Sequence, residues 1–246
     1  MNAIQESEIT AYIEKNIPDF HQNRIRKLKQ LRLKPVLLRK NPYLFRAKHL
    51  NVAADLVKNL LDAYLSSQEE TLFGAFLEGL AIHLCGMAFG GRKSSAQGID
   101  LEFNRDDIHY IVSIKSGPNW ANSGQIARMR QNFQQAKRIL GTSRSRVNVV
   151  AVNGCCYGRK TAEEKDGYIK KCGQSFWAFI SGDQQLYARL VQPLGHRAKE
   201  HNEQFAEQYA KVLNQFSLEF IREFCLPDGA VDWDKLLAFN SGEAPA

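Results

Sequence analysis

Three ionisable residues sit in surroundings that do not suit a charge. Asp100 lies inside Ile99-Asp100-Leu101-Glu102-Phe103, Lys115 follows the β-branched run Ile108 to Ile114, and Glu78 is the only formal charge between Glu70 and Arg92. In a strand, side chains alternate between faces, so Asp100 shares a face with Glu102, and Ser113 shares one with Lys115. If the two runs pair as a hairpin, a carboxylate on one strand faces a lysine on the next. A lone carboxylate in an apolar helix is costly unless a cation or metal meets it, which makes Glu78 a candidate partner. Converging carboxylates beside a lysine suit phosphodiester hydrolysis. A hard divalent cation takes carboxylate oxygens, activates a water and offsets phosphate charge, and a lysine orients that water or stabilises developing charge. The same residues also read as a cross-strand Asp–Lys ion pair beside a capped Glu. By themselves they leave both readings open.

The elements that must position these groups follow from periodicity and punctuation. A helix is expected over 6–15, and Pro18 suits the first turn of a second helix running to about Leu31. Asn41-Pro42 marks a break, and Asn51 can cap a helix through about Leu65. Ser67-Gln68-Glu69-Glu70 reads as a capping box for a further helix to about Met87, which Gly90-Gly91 ends. The hairpin strands 99–103 and 108–114 follow, with a turn over 104–107. A helix over 123–140 carries Gln125 near its start. Val147 to Val152 reads as a strand covered on both faces. A mixed segment reaches Ser181, then a long helix spans 195–224, and the tail after Glu243 is expected to be loose. This order predicts a mixed α/β fold, a central mixed sheet flanked by helices. The expected division is a basic helical region over 1–66, a catalytic core over 67–185 and a C-terminal helical region over 186–246.

Composition narrows the class. Of 246 residues, 44% are apolar and 10% aromatic, which excludes a disordered chain. Five cysteines are sparse and odd in number, so a reducing compartment, the cytoplasm, is expected. Met1 to Thr10 is polar and has no signal-peptide character. The apolar run 71–91 carries Glu78 and His83 near its centre, which favours a buried helix over a membrane span.

The net charge of +7 comes from one segment. Between Asp19 and Asp55 there is no acid, against ten Lys and Arg, among them Arg24, Lys27 and Lys29 on the expected second helix. A polyanion is the natural partner, and a nucleic acid fits better than a membrane because the segment has few aromatics. Arg92 and Lys93, in a loop just before Asp100, could touch phosphates. Asn119 and Asn122, flanking Trp120 after Lys115, could meet base edges. Cys155, Cys156 and Cys172 with His196 or His201 fit no common zinc module, so buried free thiols are expected. His109, on the same strand face as Ser113, is a lesser candidate.

Several stretches carry a resemblance. Gly98-Ile99-Asp100 with Ser113-Ile114-Lys115-Ser116-Gly117-Pro118-Asn119-Trp120 resembles the PD-(D/E)XK nuclease superfamily. Together with residues 40–48 (KNPYLFRAK), 73–78 (FGAFLE), 153–158 (NGCCYG) and 172–177 (CGQSFW), it is similar to the PmeII family of type II restriction endonucleases, over about 10–242. The resemblance implies a restriction-endonuclease-like core that hydrolyses double-stranded DNA with Mg²⁺. It implies Asp100 as a metal ligand, Lys115 as the motif lysine, Glu78 as a helical acid in the metal shell and Gln125 as a supporting glutamine. Ser113 stands where the motif has its second acid, so Glu78 or Glu102 must replace it, and Glu78 is preferred. A homodimer and a companion DNA methyltransferase are expected on the same ground. The rivals are a structure-selective or repair nuclease of this superfamily, and a non-catalytic DNA-binding protein on the same fold.

Overall fold

The computed structural model describes residues 4–143 and 148–243. Val147, the first residue of one expected strand, and the tail after Glu243 lie outside the described residues. The chain forms two compact units that are discontinuous in sequence. One combines residues 1–18 with 73–196, and the other combines 19–72 with 197–246. Two long helices, α1 (Glu6–Lys29) and α4 (Ala53–Phe89), contribute to both.

Both helices correct the boundaries expected from the sequence. Pro18 lies inside α1 rather than opening a second helix. A proline in a helix interior removes one backbone bond and costs about 3 kcal/mol. Here Ile9, Ile13 and Ile17 before it and Leu28 after it are all buried, and that burial offsets the cost. Likewise Ser67 to Glu70 is not a helix start. Leu60, Leu61 and Leu65 on one side and Leu77, Leu80 and Leu84 on the other are buried, so the helix runs through. The Ser67 carbonyl accepts a bond from Thr71 Oγ1, a bond made inside a helix rather than at its cap. By length and composition α4 could cross a membrane. Seven of its eight leucines, all but the half-buried Leu72, are buried inside the two units.

The unit containing residues 73–196 is built on a six-stranded sheet in the order β1-β2-β3-β4-β6-β5. Its strands are β1 (Arg92–Lys93), β2 (Leu101–Arg105), β3 (Ile108–Lys115), β4 (Asn148–Cys155), β5 (Ala162–Lys165) and β6 (Tyr168–Cys172). The pairs β3·β4 and β4·β6 are parallel and the other three are antiparallel, so the sheet is mixed as expected. The β2–β3 turn is tighter than the sequence suggests. It consists of Asp106 and Asp107, both with positive φ, the conformation a two-residue hairpin turn requires.

Helices cover both faces of the sheet. Met129, Phe133 and Ala136 of α5 (Ser123–Ser143) pack with Ile99, Ile111 and Ala151. On the other face Phe89 of α4 stacks on Phe103, which also meets Tyr110 and Phe179 of α6 (Gln174–Ser181). Burial on both faces explains why β3 shows no polar alternation: six of its eight residues are buried. Gly154 is required where it stands, because a Cβ there would lie 2.2 Å from the Phe176 ring.

The second unit is helical. Leu28, Leu56, Leu60 and Leu61 pack with Phe216, Phe220 and Phe224 of α9 (Ala198–Phe224). Short helices α2 (Leu33–Leu37) and α3 (Pro42–Ala47) complete its core, with Asn41 capping α3 through bonds from the Tyr43 and Leu44 amides. Between α6 and α9 run α7 (Leu186–Arg189) and α8 (Val191–Leu194), and α10 (Trp233–Ser241) ends the described chain.

Candidate active site

Register brings the acid and the lysine together. Leu101 pairs with Val112, so Asp100 stands beside Ser113, and the Asp100 amide donates to the Val112 carbonyl at 2.9 Å. Asp100 Oδ2 accepts a 2.6 Å bond from the Ile114 amide and a longer one, 3.5 Å, from Ser113 Oγ. Lys115 Nζ lies 3.8 Å from the same oxygen. The Lys115 ammonium also sits 5.1 Å from the centre of the Trp120 ring, within cation–π range.

Glu78 of α4 joins this group. Its carboxyl is held above the usual carboxylate range, first because burial disfavours the charge and then because Asp100 repels it. Lys93 and Lys115 oppose that rise, with Lys93 Nζ 3.6 Å from Glu78 Oε1. Two carboxylates that repel each other in a partly buried place, with lysines at their side, form a site electrostatically prepared for a further cation.

The residues fit a hard divalent ion. Among the described residues no three His, Cys, Asp or Glu side chains gather in one place, so the donors are two carboxylates. Mg²⁺ is commonly held by one or two carboxylates and keeps several of its waters. Ser113 is 1% exposed and bonded to Asp100, so it adds a hydroxyl to the acid and no charge to the site.

Glu102 is engaged elsewhere. Its carboxylate pairs with Arg92 at 2.7 Å, accepts from Ser94 Oγ and lies 3.9 Å from His109 Nε2. His109 is buried and bonded to Asn104, so it faces the Glu102 end of the strand pair. Of the two carboxylates that could replace the missing motif acid, the structure brings Glu78 to Asp100.

The other sequence candidates separate. Asn122 and Gln125 form a reciprocal capping box at the start of α5. The Asn122 amide donates to Gln125 Oε1 and the Gln125 amide to Asn122 Oδ1, both at 3.0 Å. Asn119 is exposed. Arg92 is bound to Glu102 and Lys93 to Glu78, as above. In the helical unit Arg24 is largely buried, paired with Glu69 at 2.7 Å and laid over the Phe205 ring at 4.0 Å. Lys27 and Lys29 are exposed. Cys155, Cys156 and Cys172 are buried free thiols, and burial pushes the first two well above the usual thiol range. His196 pairs with Glu14, and His201 stacks on His21.

Sequence reasoning missed two parts of this arrangement: the Trp120 ring beside Lys115 and the backing of Glu78 by Lys93. Both join residues across loops, where no periodicity marks a contact.

A mixed sheet flanked by helices gathers two acids and a lysine on its central hairpin and the helix before it, an arrangement whose chemistry suits a divalent ion beside a phosphodiester. Residues 7–202, about four-fifths of the chain, match the family model of the type II restriction endonuclease EcoO109I, and the chain belongs to that family. It is accordingly a DNA nuclease, a hydrolase whose substrate is double-stranded DNA, of a type that generally uses a divalent metal ion. No curated protein matches the chain.

Proposed function

We propose that this chain cleaves double-stranded DNA at one defined sequence in a Mg²⁺-dependent reaction. The observation that carries the reading is the meeting of Glu78 of α4 with Asp100 and Lys115 of the hairpin. Glu78 and Asp100 hold the ion, which when bound supplies an activated water and neutralises phosphate charge. Asp100 is fixed for this by the Ile114 amide. Lys115, steadied by Trp120, orients the attacking water and stabilises charge on the scissile phosphate. Lys93 counters the burial and the Asp100 repulsion that disfavour the Glu78 charge. The expected products are a 5′-phosphate and a 3′-hydroxyl.

Within the type II enzymes, the stretches at 40–48, 73–78, 153–158 and 172–177 support a resemblance to the PmeII family. The working form is a homodimer in the cytoplasm, matching a two-fold symmetric DNA site, with a DNA methyltransferase protecting the host genome.

Digestion of a plasmid of known sequence with and without Mg²⁺, followed by end mapping, tests the reading. Discrete ends that depend on Mg²⁺ support it, and cleavage directed by DNA structure instead of sequence would make the chain a repair-type nuclease. Ser113, standing where a second acid is expected, favours one further reading, a DNA-binding protein without catalysis. Mg²⁺-dependent cleavage that Asp100→Ala and Lys115→Ala abolish, with DNA binding retained, excludes it.

A further inference from the structure

We infer that the helical unit carries a phosphate-binding groove, distinct from the acid–lysine site, that takes the backbone of duplex DNA through Lys27, Arg39 and Lys40. The inference rests on the reading of the chain as a DNA nuclease and adds a contact surface to it.

The groove has a volume of about 470 Å³. Lys27 of α1 and Arg39 and Lys40 of the segment after α2 line one part of it, and Tyr64, Ser67 and Thr71 of α4 line another. Three cations from two separate stretches of chain therefore converge on one concavity. Neighbouring basic residues of the same unit are neutralised: Arg24 pairs with Glu69, Lys34 with Glu223 and Lys58 with Asp62. Lys27, Arg39 and Lys40 enter no ion pair among the described residues. The side-chain bonds of Arg39 and Lys40 go to uncharged oxygens, the Tyr64 hydroxyl at 3.3 Å and the Ala63 carbonyl at 2.9 Å.

Like charges gathered without a counter-charge repel, and an anion relieves that repulsion. The Tyr64 and Ser67 hydroxyls beside them supply donors to phosphate oxygens, as in backbone contacts to DNA. Among the described residues the groove presents no aromatic stack of the kind that holds a free base, Tyr64 being the one aromatic in its lining. Its chemistry thus addresses phosphates, and in a DNA nuclease the abundant phosphates are those of the duplex.

The test is duplex binding by the full-length protein, followed by fluorescence anisotropy in EDTA so that no cleavage occurs, across a series of salt concentrations. Each phosphate contact removed lowers the salt slope by about 0.9. In the triple variant Lys27→Gln, Arg39→Gln, Lys40→Gln the slope falls by about 2 to 3, and affinity near 0.1 M salt by roughly 10²–10³-fold. The loss is equal for duplexes of different sequence. Lys34→Gln serves as the control, because that cation is already paired with Glu223 and does not line the groove. If the triple variant does not fold by circular dichroism, Lys27→Gln alone carries the test with a slope change of about 0.9. An unchanged slope overturns the inference while wild-type binding leaves the nuclease reading intact. A wild type that binds no duplex overturns both. Inorganic phosphate that binds wild type, with a duplex slope the variants do not move, overturns the inference in favour of a small-anion site.

Discussion

Asp100 Oδ2 accepts a hydrogen bond from the Ile114 amide at 2.6 Å, which ties the site acid to the strand that carries Lys115. The bond is backbone-directed, so it fixes the carboxylate whichever rotamer Lys115 adopts. An amide oxygen can accept the same bond. Asp100→Asn should therefore fold with a melting temperature close to wild type, while cleavage falls by roughly 10²–10³-fold, equivalent to about 3–4 kcal/mol of lost transition-state stabilisation. Calorimetry alongside plasmid digestion separates the two effects. Wild-type cleavage by this variant would remove Asp100 from the reaction.

Glu78 presents the opposite balance. Burial and the nearby Asp100 charge hold its carboxyl high, so the ionised form weakens the metal-free fold. The sign follows directly: this cost is present above the folded-state pKa and disappears as pH falls through it. Glu78→Gln should raise the melting temperature of the metal-free protein at neutral pH and abolish cleavage. Added Mg²⁺ should raise the melting temperature of wild type, because an ion that binds only the folded state stabilises it, and should leave the variant unmoved. A variant less stable than wild type without metal, and still stabilised by Mg²⁺, would assign Glu78 a purely structural role.

Trp120 lies against the Lys115 ammonium, whose nitrogen is 5.1 Å from the ring centre. A cation–π contact of this kind contributes about 0.5–2 kcal/mol. Trp120→Phe should keep most of kcat. Trp120→Ala should lower kcat by roughly 2–30-fold with little change in DNA affinity, which single-turnover digestion measures. A loss confined to DNA affinity would make Trp120 a DNA contact.

Much of this was legible in the sequence. The alternation around Asp100 and the β-branched run before Lys115 fix a hairpin, and with it the Asp100–Ser113 neighbourhood that the register displays. The isolation of Glu78 in an apolar helix pointed to a partner for its charge, and Lys93 Nζ stands 3.6 Å from its carboxylate. Helix boundaries were less readable. Pro18 and the Ser67–Glu70 box are local signals, and long buried stripes on either side override them. The same Arg24 that reads as a free cation in a basic segment is held by Glu69, a partner 45 residues away that composition cannot reveal. Asn122 and Gln125 show the converse: their spacing of three is itself a capping-box signature, and the structure uses it as one. The short strands β1, β5 and β6 lack the length for a period to show.

His21 sets an acid limit on the helical unit. It is buried and stacks on His201 at 4.4 Å, with Arg24 within 3.4 Å and the Phe20 ring edge-on. Glu69 reaches this cluster through its pair with Arg24. Burial, then His201 and Arg24, push the His21 imidazole down to about 4 from an ordinary value of 6.5. The unfolded chain therefore binds a proton that the folded chain refuses between those two values, and stability falls as pH drops from about 6.5 to about 4. The full difference is about 3 kcal/mol at most, a large share of the stability of an ordinary domain. Thermal melts of wild type between pH 7.5 and pH 4 should show this loss, and His21→Gln should flatten the profile across that window. A profile unchanged by His21→Gln would show that another group sets the acid limit.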